Sequence, residues 1–235
     1  MLGSIGYFQA KTVISDLYSP PRVTAEIRRS KSEFLTPGHA FDITVNDPDV
    51  GQPWDFNDRA KREKAREILR KQRPYLLIGS PMCTAFSSWQ HLNNARLGNT
   101  AAAQAAKAKA TEHMNFAASL YLEQIQAGRY FLHEHPRNAS SWGLPAMEEL
   151  MKILGVVLTH GDQCQYGAQV AHGPLKGCLV KKPSGFLSNS KSLSSALSKT
   201  CTGIGGACSR GGRHVHCTGR IAKDSQFPPE DCVKV

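Results

Sequence analysis

The sequence predicts an α/β domain built on a doubly wound, mostly parallel sheet. Short apolar runs alternate with helix-forming segments along most of the chain, the pattern of strands joined by helical crossovers. One of these runs, PYLLIG at 74–79, is continuously apolar, as a central strand covered on both faces must be. The 235 residues suffice for one such domain with a small appendage.

Residues 12–19 (TVISDLYS) read as a first buried strand, stopped by Pro20 and Pro21. A short helix over 23–29 follows, since proline is tolerated in a first helical turn. Residues 39–45 (HAFDITV) read as the second strand. The turn-rich NDPDVGQPWDFND then leads into a charged helix over 58–72, with Ala65, Ile68 and Leu69 toward the sheet and its many cations on the other face. After strand 74–79 comes the polar loop SPMCTAFSSWQHLNN, then an alanine-rich helix over 100–126 stopped by Gly128. Residues 129–134 (RYFLHE) form the next strand, 147–154 a helix and 156–160 a strand. KKPSGFLSN at 181–189 is one more strand or hairpin arm. Past residue 190 the chain turns Ser/Gly/Cys-rich, which divides it into a catalytic-type domain over 1–190 and a C-terminal segment over 191–235.

No apolar run reaches the roughly 18 residues of a membrane helix, and MLGSIGYFQAKTV lacks the features of a signal peptide, so a nuclear or cytoplasmic protein with no membrane partner is expected. The formal net charge is +10 and the sequence pI about 9.4. Such a surface attracts polyanions, nucleic acid foremost, the alternative being a solvated basic face. The seven cysteines are odd in number and widely spaced, against a disulfide framework.

In doubly wound sheets ligands bind past the carboxyl ends of the strands. Cys83 follows strand 74–79 and Glu134 ends strand 129–134. If those strands are neighbours, a thiol and a carboxyl group share one crevice, the pair needed for nucleophilic attack with proton support. The alternative for Cys83 is a small buried hydrophobe.

SPMCTAFS resembles the Pro-Cys catalytic loop of DNA cytosine-C5 methyltransferases, usually a Pro-Pro-Cys-x-x-Phe-Ser pattern. HEHP resembles that family's Glu-Asn-Pro or Glu-Asn-Val motif. DQCQYGAQV followed by KKPSGFLSN resembles its Cys-x-Tyr-Gly stretch before a Lys-Pro-Thr strand, and RHVHCTGRIAKDSQFPPEDC its closing motif. The first three of these motifs carry the resemblance, in this order, over residues 12 to 189, and it implies a Rossmann-like domain of the class I S-adenosylmethionine-dependent type. It implies Cys83 as nucleophile toward C6 of a flipped-out cytosine and Glu134 as the residue holding that base. It also implies a cofactor pocket from Tyr18, Ser19, Asp42, Asp55, Phe56 and Pro81, with S-adenosylmethionine as cofactor. Substrate contacts fall to Ser80, Ser87, Gln90 and Lys182, with Ser88, Asn93 and Asn94 on the same loop.

The sequence departs from the family pattern twice. LYSPPRV stands where a glycine-rich turn is usual, and a proline cannot simply replace a glycine there. Asp42 then has an ordinary turn role as its alternative. The stretch after residue 189 is also too short for a target-recognition domain, so sequence-specific recognition is expected to be absent, supplied by a separate partner chain, or lost. The alternative is an inactive nucleic-acid-binding module of mobile-element or viral origin. No metal is assigned. The competing possibility is a structural zinc held among Cys201, Cys208, His214, His216 and Cys217, whose residue types suit zinc but whose spacing lacks a Cys-x-x-Cys pair.

Overall fold

The computed structural model describes residues 12–87, 98, 100–215 and 217. The first half comprises β1 (Thr12–Leu17), α1 (Val23–Ser30), β2 (Leu35–Phe41), α2 (Arg59–Gln72) and β3 (Leu76–Gly79). A single turn of 3-10 helix at Thr84–Phe86 follows, then α3 (Ala101–Gln126), β4 (Tyr130–Pro136), α4 (Pro145–Lys152) and β5 (Val157–Asp162). The chain continues through β6 (Leu179–Val180), β7 (Pro183–Ser188), α5 (Lys191–Ala196) and β8 (His214–Val215).

Six strands form one sheet in the order β2-β1-β3-β4-β7-β5, and β6 pairs with β8 apart from it. The first four are parallel, while β7 runs antiparallel to both β4 and β5. The mixed α/β, mostly parallel expectation therefore holds. From β1 the chain first builds β2 on one side, then crosses to build β3 on the other. The carboxyl ends of β1 and β3 thus flank a topological switch point, where a crevice opens in this class of sheet.

Strand alternation sorts the apolar residues onto two faces. Leu17, Leu77, Phe131 and Leu187 pack against α2, α3 and α4 through Leu69, Met114, Tyr121 and Met147. Ile14, Leu76, Leu132 and Phe186 face the other way, toward Ile27 of α1 and Leu197. α5, expected only as part of a fading tail, packs here on the sheet.

The second strand is displaced from its expected position. β2 starts at Leu35 and ends at Phe41, whereas HAFDITV suggested 39–45. Pro37 and Gly38 masked the strand, yet β2 is an edge strand, where proline is tolerated, and its pairing with β1 shifts register between Ile14 and Asp16. Residues past Phe41 turn away because the Asp42 carboxylate accepts from the Thr44 N–H and hydroxyl. β4 runs beyond Glu134 to Pro136, so Glu134 lies within the strand, paired in register with Phe186. α4 begins at Pro145, two residues before the expected start, using proline at the helix N-terminus.

The cations on the polar face of α2 are largely engaged within the molecule. Lys61 and Lys64 both donate to the buried Asp47. Arg62 pairs with Glu112, and Arg66 and Arg70 both pair with Glu123 of α3. Asp58 caps the helix by accepting from the Ala60 N–H at 2.8 Å.

Candidate active site

The crevice at the switch point is held together by its two strand ends. The Ser80 N–H donates to the Leu17 carbonyl at 3.1 Å, and the Tyr18 N–H donates to the Phe41 carbonyl at 2.8 Å. Tyr18 has φ of 55°, a left-handed conformation costly for a bulky residue. The departure from the glycine-rich pattern is thus met by a tyrosine in a backbone conformation that glycine adopts more readily. Its hydroxyl bonds with His113 Nδ1 at 2.9 Å and its ring packs edge-on against Phe56, which together hold it there.

Glu134 is the most elaborately held side chain of the crevice. The Ser80 hydroxyl donates to its Oε2 at 2.8 Å and the Ser184 hydroxyl to its Oε1 at 2.7 Å. Lys182 Nζ lies 3.9 Å from the same Oε1. Burial pushes the Glu134 pKa up, but Lys182 and the two hydroxyls outweigh it, and the net direction is down. Glu134 is therefore ionised at neutral pH.

Cys83 sits half-buried at the start of the 3-10 turn, its carbonyl accepting from the Phe86 N–H at 2.9 Å. Burial raises its thiol pKa, the Glu134 carboxylate raises it further, and Lys182 opposes them; the net direction is up. The loop carrying it is pinned from β4. His135, fully buried, bonds through Nε2 to the Pro81 carbonyl at 3.2 Å and through Nδ1 to the Ser141 hydroxyl at 2.6 Å. Alternation along β4 accounts for both roles, since His133 and His135 point into one face and Glu134 into the other. The two histidines are packing and hydrogen-bonding residues, His133 bonding to the Tyr121 hydroxyl at 3.1 Å.

No protein-family model matches the sequence, and no curated protein matches it. Among solved structures, the chain is similar to the Entamoeba histolytica methyltransferase EhMeth, with a TM-score of 0.43 and 10% sequence identity. The similarity covers 77% of this chain and 53% of that one, so the chain spans about half the length of that methyltransferase.

A cavity of about 580 Å³ opens beside the crevice, within the range of small-molecule sites. Its floor is the apolar face of β1, β3, β4 and β7, and α1 and α5 supply walls. Its polar end carries Asp16, Ser19, Arg22, Ser80, Glu134, Gln163 and Lys182. Of the residues assigned to the cofactor from sequence, only Ser19 lines this cavity.

The others serve different ends. Phe56 is buried in the core between Tyr18 and Phe116, so its ring presents no free face to a ligand. Asp55 accepts from the Asn57 backbone and side chain, and Asp42 closes its own turn. Pro81 is buried and contributes its carbonyl to His135. Among the substrate assignments, Ser80 and Lys182 gather at Glu134, while Ser87 donates to the Thr84 carbonyl at 3.1 Å. Gln90, with Ser88, Asn93 and Asn94, lies outside the described residues.

Two residues of the site were missed from sequence, Asp16 in the cavity and Ser184 behind Glu134. Asp16 is buried on β1; its Oδ2 accepts from the Thr24 N–H at 3.1 Å and the Thr24 hydroxyl at 2.8 Å, while Oδ1 has no partner among the described residues. Its pKa is raised to about 6, burial outweighing the Thr24 bonds and Arg22. The signal was present as a carboxylate inside the apolar run TVISDL, where burying a charge is costly and needs a reason. Ser184, fully buried on β7, had no signal beyond its place in KKPSGF.

Proposed function

We propose that this chain transfers a methyl group from S-adenosylmethionine to C5 of cytosine in DNA through a covalent Cys83 adduct. One observation carries the reading: β3 and β4 are adjacent parallel strands, and the loop bearing Cys83 and the carboxylate of Glu134 meet at one crevice, joined by Ser80.

The cofactor fits the cavity in chemical type. S-adenosylmethionine supplies the methyl group and carries an ammonium, a sulfonium, ribose hydroxyls and a flat purine. Asp16, with its unpartnered buried Oδ1, and Ser19 suit the cationic and hydroxyl groups, and the apolar floor suits the purine. In the reaction, the Cys83 sulfur bonds to C6 of a cytosine turned out of the helix, and the displaced electron pair makes C5 nucleophilic. Ionised Glu134 accepts from the 4-amino group and fixes the ring. C5 takes the methyl group and leaves S-adenosylhomocysteine; a water or hydroxide base then removes the C5 proton, which restores the C5–C6 double bond and expels Cys83 as thiolate. The raised thiol pKa makes deprotonation of Cys83 the step on which attack depends. A nuclear or cytoplasmic location goes with a DNA substrate, and among the described residues no helix is long and apolar enough to cross a membrane.

The test is incubation with labelled S-adenosylmethionine and duplex DNA containing 5-fluorocytosine, whose C5 fluorine blocks the final elimination. A denaturation-resistant adduct is expected with the native chain and none with Cys83→Ala. Methyl transfer undiminished in Cys83→Ala excludes the mechanism.

A second reading, an inactive nucleic-acid-binding module, is favoured by the proline pair in LYSPPRV and the net charge of +10. It expects DNA affinity that falls steeply with salt and no calorimetric heat with S-adenosylmethionine. Saturable cofactor binding excludes it.

A further inference from the structure

Two stretches far apart in sequence converge beyond the carboxyl end of β5. A 3-10 turn at Gln163–Tyr166 brings Cys164, the loop after α5 brings Cys201 and Cys208, and β8 brings His214. One ligand atom from each of the four lies within 4.8 Å of every other. We propose that Cys164, Cys201, Cys208 and His214 form a structural zinc site.

The distances are those a metal would impose. Zinc binds thiolate at about 2.3 Å and imidazole nitrogen at about 2.0–2.1 Å, so tetrahedral ligands stand about 3.8 Å apart for two sulfurs and about 3.5 Å for sulfur and nitrogen. The Cys201 and Cys208 sulfurs are 3.8 Å apart, and Cys201 Sγ is 3.7 Å from His214 Nε2. A disulfide would need the sulfurs at about 2.05 Å. Three thiols and one imidazole are soft and borderline ligands that suit zinc and not calcium or magnesium.

The surroundings are built for thiolates. The N–H and hydroxyl of Ser209 both donate toward Cys201 Sγ, at 3.5 and 3.6 Å. The Gln165 amide lies between Cys164 Sγ at 3.5 Å and Cys208 Sγ at 3.6 Å. Such outer contacts stabilise ligand charge and fix ligand direction. Gly205 and Gly206, at φ of 61° and 84°, reverse the chain between the two cysteines, and the His214 N–H donates to the Gly206 carbonyl at 2.7 Å.

This ligand set differs from the one expected of the C-terminal segment. Cys201, Cys208 and His214 belong to both, Cys164 replaces the missing partner, and Cys217 packs with Val180 and Ala168 instead. His216 lies outside the described residues. Because Cys164 adjoins Gln163, the site braces the crevice wall: Gln163 donates to Ser184 at 3.0 Å, and Ser184 donates to Glu134.

The experiment is metal analysis of the full chain, expressed in zinc-supplemented medium and purified without chelator. One zinc per chain is expected, lost in His214→Ala and Cys208→Ser and kept in Cys178→Ser. Cobalt(II) exchanged into the native chain should give sulfur-to-cobalt charge transfer and tetrahedral d–d bands. Cys208→His should keep cobalt with weaker charge transfer, which locates the site even if the other variants fail to fold. Native protein without stoichiometric zinc, zinc retained in both ligand variants, or a Cys201–Cys208 disulfide in peptide mapping would overturn the proposal.

Discussion

The hydroxyl of Ser80 donates to Oε2 of Glu134 across 2.8 Å, and this bond joins the loop after β3 to the middle of β4. Ser184 makes the matching bond to Oε1 from β7. Removing both hydroxyls, as in S80A/S184A, leaves Lys182 as the chief opponent of burial, and the Glu134 pKa rises. Carboxyl-labelled NMR titration measures it. A pKa unchanged from the native chain would mean that Lys182 alone sets the charge.

Burial raises the Cys83 thiol pKa, Glu134 raises it further and Lys182 lowers it, with the net direction up. The rate of Cys83 alkylation by iodoacetamide therefore has its midpoint above the ordinary thiol value of about 8.5. Glu134→Gln moves that midpoint down and Lys182→Met moves it up, each readable by mass spectrometry of the Cys83 peptide. Shifts in the opposite sense would contradict the arrangement.

Asp16 titrates near pH 6 in the folded chain against an ordinary 3.8. Between those values the folded state holds a proton that the unfolded state has released, so stability falls as pH rises from about 4 to 6 and is level above that. The difference corresponds to about 3 kcal/mol across the window. Asp16→Asn should flatten this part of the urea-unfolding profile. Asp47, held down to about 2 against burial by Lys61 and Lys64, works in the opposite direction and below pH 4.

A Cβ on Gly79 would overlap the Tyr121 hydroxyl. Gly79→Ala thus destabilises the chain by about 1–3 kcal/mol, the usual range for overpacking. Adding Tyr121→Phe removes the colliding oxygen and restores part of the loss. Denaturant melts of the single and double variants read the coupling directly.

Much of the crevice was legible because strand ends are marked by composition. The apolar run before Ser80 and the strand carrying Glu134 fixed where both chains of chemistry emerge, and the sheet confirmed their adjacency. β2 was misplaced because Pro37 and Gly38 look like loop residues when an edge position is not known. The cofactor residues were assigned by order along the chain, and order could not reveal that Phe56 is consumed by the core. Cys164 escaped the metal reading for a related cause: its partners lie across a crossover, and sequence spacing reports only local ligand pairs.

The turn after β1 is also defined by the donors it withholds. Pro20 and Pro21 have no N–H to offer, and the Arg22 N–H is bound to the Pro20 carbonyl. Within the first turn of α1, the amide of Thr24 is taken by the Asp16 carboxylate. A pyrophosphate seeks a cradle of open N–H groups and a positive helix end at this place. Here the Arg22 and Thr24 amides are already bound, and the Asp16 carboxylate stands beside them. The first crossover of this protein therefore offers a phosphate fewer open amides than a glycine-rich turn would.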